Sequence, residues 1–198
     1  HIYAPFAYTL MTYKWLLEKD FKQVVDYNKS DLFKAKDQSL GMVWTKLIVG
    51  KLFHFSVFYA LPMLLGAPWY LVLWGNVVMH VIAGFILSIT FQLAHVVDKA
   101  EFPTEEEVQN ITNIEHQMKT TANFATRNWL VTWYTGGLNF QVEHHMFPTI
   151  NHIHYPKIAE IVRKTAAEFE LPYNEYRTTM SAIKGHFRHL RNMGMQPA

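Results

Sequence analysis

The sequence predicts an all-α protein in which one transmembrane helical hairpin carries a polar helical cap. Three observations lead there. No Asp, Glu, Lys or Arg occurs between Lys51 and Asp98, a stretch too long for one bilayer span and about right for two, since a span takes roughly 20 apolar residues. The flanks are rich in charge, and beyond Asp98 the helix start and stop signals recur. Strand-like alternation is missing throughout.

The elements follow in order. Residues 1–41 read as an interfacial segment and a loop. Tyr3, Phe6, Tyr8, Tyr13 and Trp15, with Lys14 among them, suit headgroup level in a membrane, or an amphipathic helix packed on protein. Residues 20–39, with Lys22, Lys29, Lys34 and Lys36, read as a cytoplasmic loop. The two spans occupy 42–95. The first runs from about Met42 to Leu64, with Lys46 and Lys51 placed to snorkel to the interface. Gly66 and Pro68 break it, and the second runs from about Trp69 to Ala94. Lysines precede the first span and basic residues follow the second, while the turn between has none. The positive-inside rule therefore puts both ends in the cytoplasm.

Residues 96–198 read as cytoplasmic helices. Thr104 and Glu107 have capping-box spacing, and 105–133 read as one or two helices. Gly136-Gly137 interrupts, and a short helix holding Gln141 to His145 ends at Pro148. Pro156 opens another helix, with Ile158, Ile161, Val162, Ala166 and Phe169 on one apolar face. After Leu171-Pro172-Tyr173, a last helix runs from about Asn174 to Met193 and stops at Gly194.

Composition narrows the chemistry. A net charge of +2 implies no nucleic-acid-binding field. With no cysteine, disulfides, thiolate metal sites and cysteine nucleophiles are excluded within the chain. Eleven histidines are many for 198 residues, and histidine is the commonest protein metal ligand. The start at His1 shows no signal peptide and reads as a cut inside a longer protein.

Gln141, His144 and His145 stand at i, i+3 and i+4, on one face of a helix. Adjacent histidines cannot point the same way, so His144 and His145 are placed to serve two neighbouring ions. Imidazole ligation suits iron, copper, zinc or nickel rather than magnesium or calcium. A Gln amide is a weak neutral ligand. His95 closes the second span, with Gln92 one turn earlier, and the topology puts it on the same membrane side as His144 and His145.

The segment Gly136-Gly137-Leu138-Asn139-Phe140-Gln141-Val142-Glu143-His144-His145-Met146-Phe147-Pro148 resembles the third histidine box of the membrane fatty acid desaturases. It is most similar to the front-end class and its bacterial linoleoyl-CoA or delta-6 desaturase-like relatives, in which Gln replaces the first histidine of the box. Gln92-Leu93-Ala94-His95, Thr120-Thr121-Ala122-Asn123-Phe124 and His152-Ile153-His154-Tyr155-Pro156 match as well. The resemblance implies an integral membrane di-iron desaturase fold, with four transmembrane helices under a cytoplasmic cap. It also implies two iron ions held by histidines, with His144, His145 and Gln141 from the third box and His95 as an extra ligand. The implied reaction uses O2 and two electrons from an external donor, cytochrome b5 or ferredoxin, to desaturate a fatty acyl chain carried on CoA or a membrane lipid. No ordinary side chain breaks such a C–H bond, so the protein's task is to hold the cofactor and position the chain. The first two boxes are absent from this chain, which implies that it does not assemble an active site alone. A related membrane di-iron hydroxylase and a nonenzymatic membrane remnant are the competing readings. A zinc hydrolase lacks its His-Glu-x-x-His motif.

Other residues carry plainer expectations. His54 and His80 lie within spans, and His80 is expected to hydrogen-bond inside the bundle. His152 and His154 are expected to be structural or to support the ligands. His186 and His189, beside Arg188 and Arg191, are expected on a solvated or membrane-facing basic surface. Asp98, Glu115 and Glu143 are candidates to support ligand histidines. Trp129, Trp133 and Tyr134 are expected either to line an acyl tunnel or to pack at the membrane boundary.

Overall fold

A computed structural model describes residues 1–195, with the side chains of residues 34 and 35 excepted; Lys34 of the expected lysine-rich loop thus lies outside the described side chains. The chain divides into two compact units, Ile2–Ser88 and Ile89 onward. It is predominantly helical.

In the first unit a nearly unbroken helical run covers residues 4–29, with a π-helical turn at Trp15–Lys19. Residues 20–39 are therefore not the loop that their lysines suggested. Asp20–Lys29 and Leu32–Ala35 are helical, because Val24 and Phe33 supply buried anchors. The Asp20 carboxylate also takes the Lys51 ammonium at 2.6 Å, so Lys51 is ion-paired to protein rather than reaching for headgroups.

The early part of this run packs along the second span. A Cβ on Gly84 would lie 2.6 Å from the Thr9 carbonyl oxygen, and Ser88 Oγ donates to the Tyr8 carbonyl at 3.2 Å. The segment thus packs on protein along one face, while Tyr3, Phe6, Leu10 and Leu17 stay exposed.

Among the described residues, two helices are long and apolar enough to cross a membrane: Leu40–Leu64, of 25 residues, and Trp69–His95, of 27. At about 1.5 Å per residue either exceeds the roughly 30 Å hydrocarbon core. Gly66, at φ +94°, makes the turn between them. The first span contains a π-helical turn at Ser56–Ala60, followed by Pro62. Proline has no N–H to return to the carbonyl four residues back. The Asn76 side-chain amide donates to that carbonyl, Phe58 O, at 3.1 Å and to Val72 O at 2.9 Å.

The second unit is built from short, side-chain-capped helices. Thr104 and Glu107 form the expected capping box. Residues 105–133 hold three helices rather than one or two: Glu105–Gln109, Asn113–Thr120 and Trp129–Tyr134. The cause is extra N-caps, because Thr112 accepts from Glu115 N–H and Asn128 accepts from the Leu130 and Val131 N–H groups. Between them lies β1, Asn123–Phe124, which pairs in parallel with β2, Glu175–Tyr176. The last helix consequently starts at Thr179, not Asn174, and runs through Gly194 to Met195. Thr178 Oγ1 accepts from Ser181 N–H at its start.

The helix Tyr155–Glu168 begins at Pro156 as expected. Its buried face is Tyr155, Ala159, Val162 and Ala166. Ile161 and Phe169 are exposed instead, and line an apolar cleft with Met118, Met146 and Phe147. Leu93, Val97, Ala122, Phe124, Tyr176 and Ala182 form one core, in which the end of the second span meets both strands and the last helix.

Candidate metal centre

The short helix Gln141–Met146 presents the histidine pair. Gly136 and Gly137 deliver it through left-handed turns at φ +59° and +81°. At Gly137 a side chain is excluded twice over, since a Cβ would also lie 2.5 Å from that of His152. His152 thus has a packing role, and both it and His154 are exposed.

His95, Gln141, His144 and His145 come together. Gln141 Nε2 lies 3.3 Å from His95 Nε2. The His95 and His145 ring centroids are 5.0 Å apart. His144 and His145 diverge, with centroids 5.7 Å apart and ring planes at 85°, as adjacent helical residues must. Gln141 is buried and the three rings are half-buried.

Each of two rings has a second partner that fixes its orientation. His144 Nδ1 lies 3.2 Å from the Tyr155 hydroxyl, and the His95 ring hydrogen-bonds to the Thr120 backbone. That is the arrangement ligating histidines use. Burial, with His95 and His144 nearby, drives the His145 pKa down to about 4, so its imidazole is neutral and its lone pair free at physiological pH.

Beneath the pair, Glu143 is fully buried. Its carboxylate accepts from Asn123 Nδ2 at 2.8 Å and from the Tyr173 hydroxyl at 2.9 Å. Asn123 Oδ1 also accepts from Val142 N–H at 2.9 Å. Burial pushes the Glu143 carboxyl above its usual range, and these two donors pull it back. Burial first, and the Glu143 carboxylate second, push the Tyr173 phenol up.

Asp98 and Glu115 engage elsewhere. Asp98 accepts from the Tyr176 hydroxyl and pairs with Arg188 at 2.5 Å. Glu115 pairs with Lys119 at 2.9 Å. His186 contradicts the solvated-surface expectation: it is completely buried, and its Nδ1 donates to the Val96 carbonyl at 2.5 Å. His189 stacks on Phe102 with centroids 4.7 Å apart. Trp129, Trp133 and Tyr134 are exposed. Asn123, Tyr155 and Tyr173 are the site residues that sequence reasoning missed. Asn123 and Tyr155 both lie inside family-like stretches, which was the available signal.

Three neutral-capable imidazoles and a carboxamide form a nitrogen-rich donor set that fits a transition ion such as iron. Among the described residues, no three His, Cys, Asp or Glu side chains converge on a single point. The set thus fits part of a histidine-ligated iron centre.

Comparison with known proteins identifies the family. The family model described as fatty acid desaturase matches residues 1–177. The chain is 35% identical over 199 residues to the acyl-lipid (8-3)-desaturase of Physcomitrium patens, covering 98% of this chain and 41% of that protein. It is 36% identical over 205 residues to the sn-1 linoleoyl-lipid 6-desaturase of Arthrospira platensis, covering 100% of this chain and 53% of that protein. Against the sn-1 linoleoyl-lipid 6-desaturase of Synechocystis, identity is 40% over 147 residues, 73% of this chain and 41% of that protein. The chain thus spans about half the length, or less, of these relatives. No solved structure matches.

Proposed function

This chain belongs to the fatty acid desaturase family, and we propose that it contributes part of the iron centre of an oxidoreductase that introduces a double bond into a lipid-linked acyl chain. The observation that carries the reading is the meeting of His95 with Gln141, 46 residues on, and with His145, whose ring lies 5.0 Å from that of His95.

His95, His144 and His145 are the proposed iron ligands, with Gln141 as a neutral one; half a turn of its amide presents oxygen instead of nitrogen. Iron held there supplies the O2- and electron-dependent chemistry that removes hydrogen from an unactivated methylene pair. The chain's own residues orient the ligands. Tyr155 and the Thr120 backbone hold two rings, and the Asn123–Glu143–Tyr173 network anchors the helix that carries the pair. Partial burial around His145 keeps its imidazole neutral. The remaining ligands of a two-iron centre come from sequence outside this chain, so the purified chain alone is expected to bind fewer than two irons and to show no turnover. The positive-inside pattern supports a cytoplasmic location for the histidine site and both ends. The proposed substrate is a lipid-linked acyl chain, as the relatives' names indicate for those proteins, and the proposed electron donor is cytochrome b5 or ferredoxin.

A graft tests this. Residues 1–198 replace the corresponding region of the Arthrospira platensis desaturase, and fatty acids of expressing cells are profiled. Desaturation by the graft, abolished by His144→Ala or His95→Ala at equal protein level, is the expected result. Desaturation that survives both substitutions would overturn the ligand assignment.

A further inference from the structure

We propose that His54, Asn76 and His80, within residues 2–88, together hold one ordered water molecule at membrane depth. Asn76 and His80 are only 8% and 7% exposed. His54 Nε2, Asn76 Oδ1 and His80 Nε2 are fully buried atoms without a hydrogen-bond partner. Native interiors rarely leave even one such atom unpaired.

The neighbouring hydrogen bonds fix what each atom needs. The Thr12 hydroxyl donates its single hydrogen to the His80 carbonyl at 3.0 Å. The same oxygen lies 3.1 Å from His80 Nδ1, so it must accept there, and His80 Nδ1 carries the ring proton. His80 Nε2 is therefore a bare lone pair. Asn76 Nδ2 uses both of its hydrogens on the Phe58 and Val72 carbonyls. A flipped amide would set oxygen against oxygen, so Asn76 Oδ1 is a second acceptor. Two acceptors cannot satisfy each other. One water donates to both and accepts from His54 Nε2–H, which accounts for all three atoms, and three bonds are typical of a buried water.

The spacing agrees. Asn76 and His80 are one turn apart on the same helix face. The His54 and His80 ring centroids are 6.3 Å apart. Two imidazoles sharing a water at about 2.9 Å and a tetrahedral angle have centroids about 6.5 Å apart. The same angle about a zinc ion, with bonds of about 2.0 Å, brings them to about 5 Å. The separation therefore favours water over a metal. The water would join the two spans beside the Thr12–His80 contact that ties on the N-terminal helix.

Nitrogen-15 NMR of histidine-labelled chain in detergent micelles tests the proposal. His80 is expected as the Nδ1–H tautomer, with magnetisation transfer from a long-lived water to the His54 and His80 ring protons. His54→Gln should keep the transfer to the His80 ring and His54→Leu should lose it. Should either variant fail to fold, the tautomer and the water contact in the unaltered chain still decide. An Nε2–H tautomer at His80, a direct bond between the two rings, rings without water contact, or one zinc ion per chain shifting both ring signals would each overturn the proposal.

Discussion

Asn123 grips the histidine-bearing helix at two consecutive residues, donating to the Glu143 carboxylate at 2.8 Å while accepting from the Val142 N–H at 2.9 Å. Asn123→Leu leaves a buried carboxylate short of one donor and a buried N–H without an acceptor. The expected loss is about 2–3 kcal/mol of stability, read by denaturant unfolding in micelles. The same variant in the desaturase graft should lose iron while its His95, His144 and His145 are intact. Unchanged stability and unchanged iron content would remove Asn123 from the account.

The two glycines before the histidine helix should differ under the same substitution. Gly136 faces open space, so Gly136→Ala meets only the left-handed backbone cost of about 1–2 kcal/mol. Gly137→Ala adds a collision with His152 and should destabilise by more than that. Equal melting temperatures in the two variants would show that His152 yields freely.

His186 gives the second unit an acid limb. Burial lowers its pKa from 6.5, so the folded state favours the neutral ring. That contribution is fully present above 6.5 and is lost as pH falls from there through the depressed folded value. Unfolding measured at stepped pH should therefore weaken on the acid side. His186→Gln keeps a donor for the Val96 carbonyl without a titrating group, and should make that limb shallower. An acid limb of identical slope would count against His186 as its source.

Gly84 and Gly75 lie on the same span and should respond differently to alanine. Gly84→Ala drives a methyl into the Thr9 carbonyl and should lower the melting temperature and expose residues 4–29 to protease. Gly75→Ala meets nothing within 4 Å and should be neutral or stabilising by up to about 1 kcal/mol. Protease resistance unchanged in Gly84→Ala would mean that the N-terminal helix does not depend on that close approach.

Much of this architecture was legible because it rests on local patterns. The spans follow from the absence of charge between Lys51 and Asp98, and the Thr104–Glu107 cap and the Gly136-Gly137 break depend on neighbours in sequence. The histidine helix announces itself by spacing. What stayed hidden depends on partners far along the chain. Glu143 was a candidate support, yet its donors lie 20 and 30 residues away. A strand pair of two residues each leaves no alternation to read, so the last helix was started too early. The flanking Arg188 and Arg191 disguised His186 as a surface residue. The contrary signal was Ala182 and Gly185 beside it, small enough to let that helix close on the end of the second span. Residues 20–39 looked like loop because polar residues outnumber the two anchors, Val24 and Phe33.

The parallel pairing of Asn123 with Glu175 and of Phe124 with Tyr176 sets an order of events during translation. The histidine helix leaves the ribosome well before Tyr173 and β2, and chains fold as they emerge. Until those later residues arrive, the Glu143 carboxylate lacks its tyrosine donor and β1 lacks its neighbour. The helix Gln141–Met146 therefore gains its full set of hydrogen-bond partners only after the strand Glu175–Tyr176 and the tyrosine ahead of it have been made.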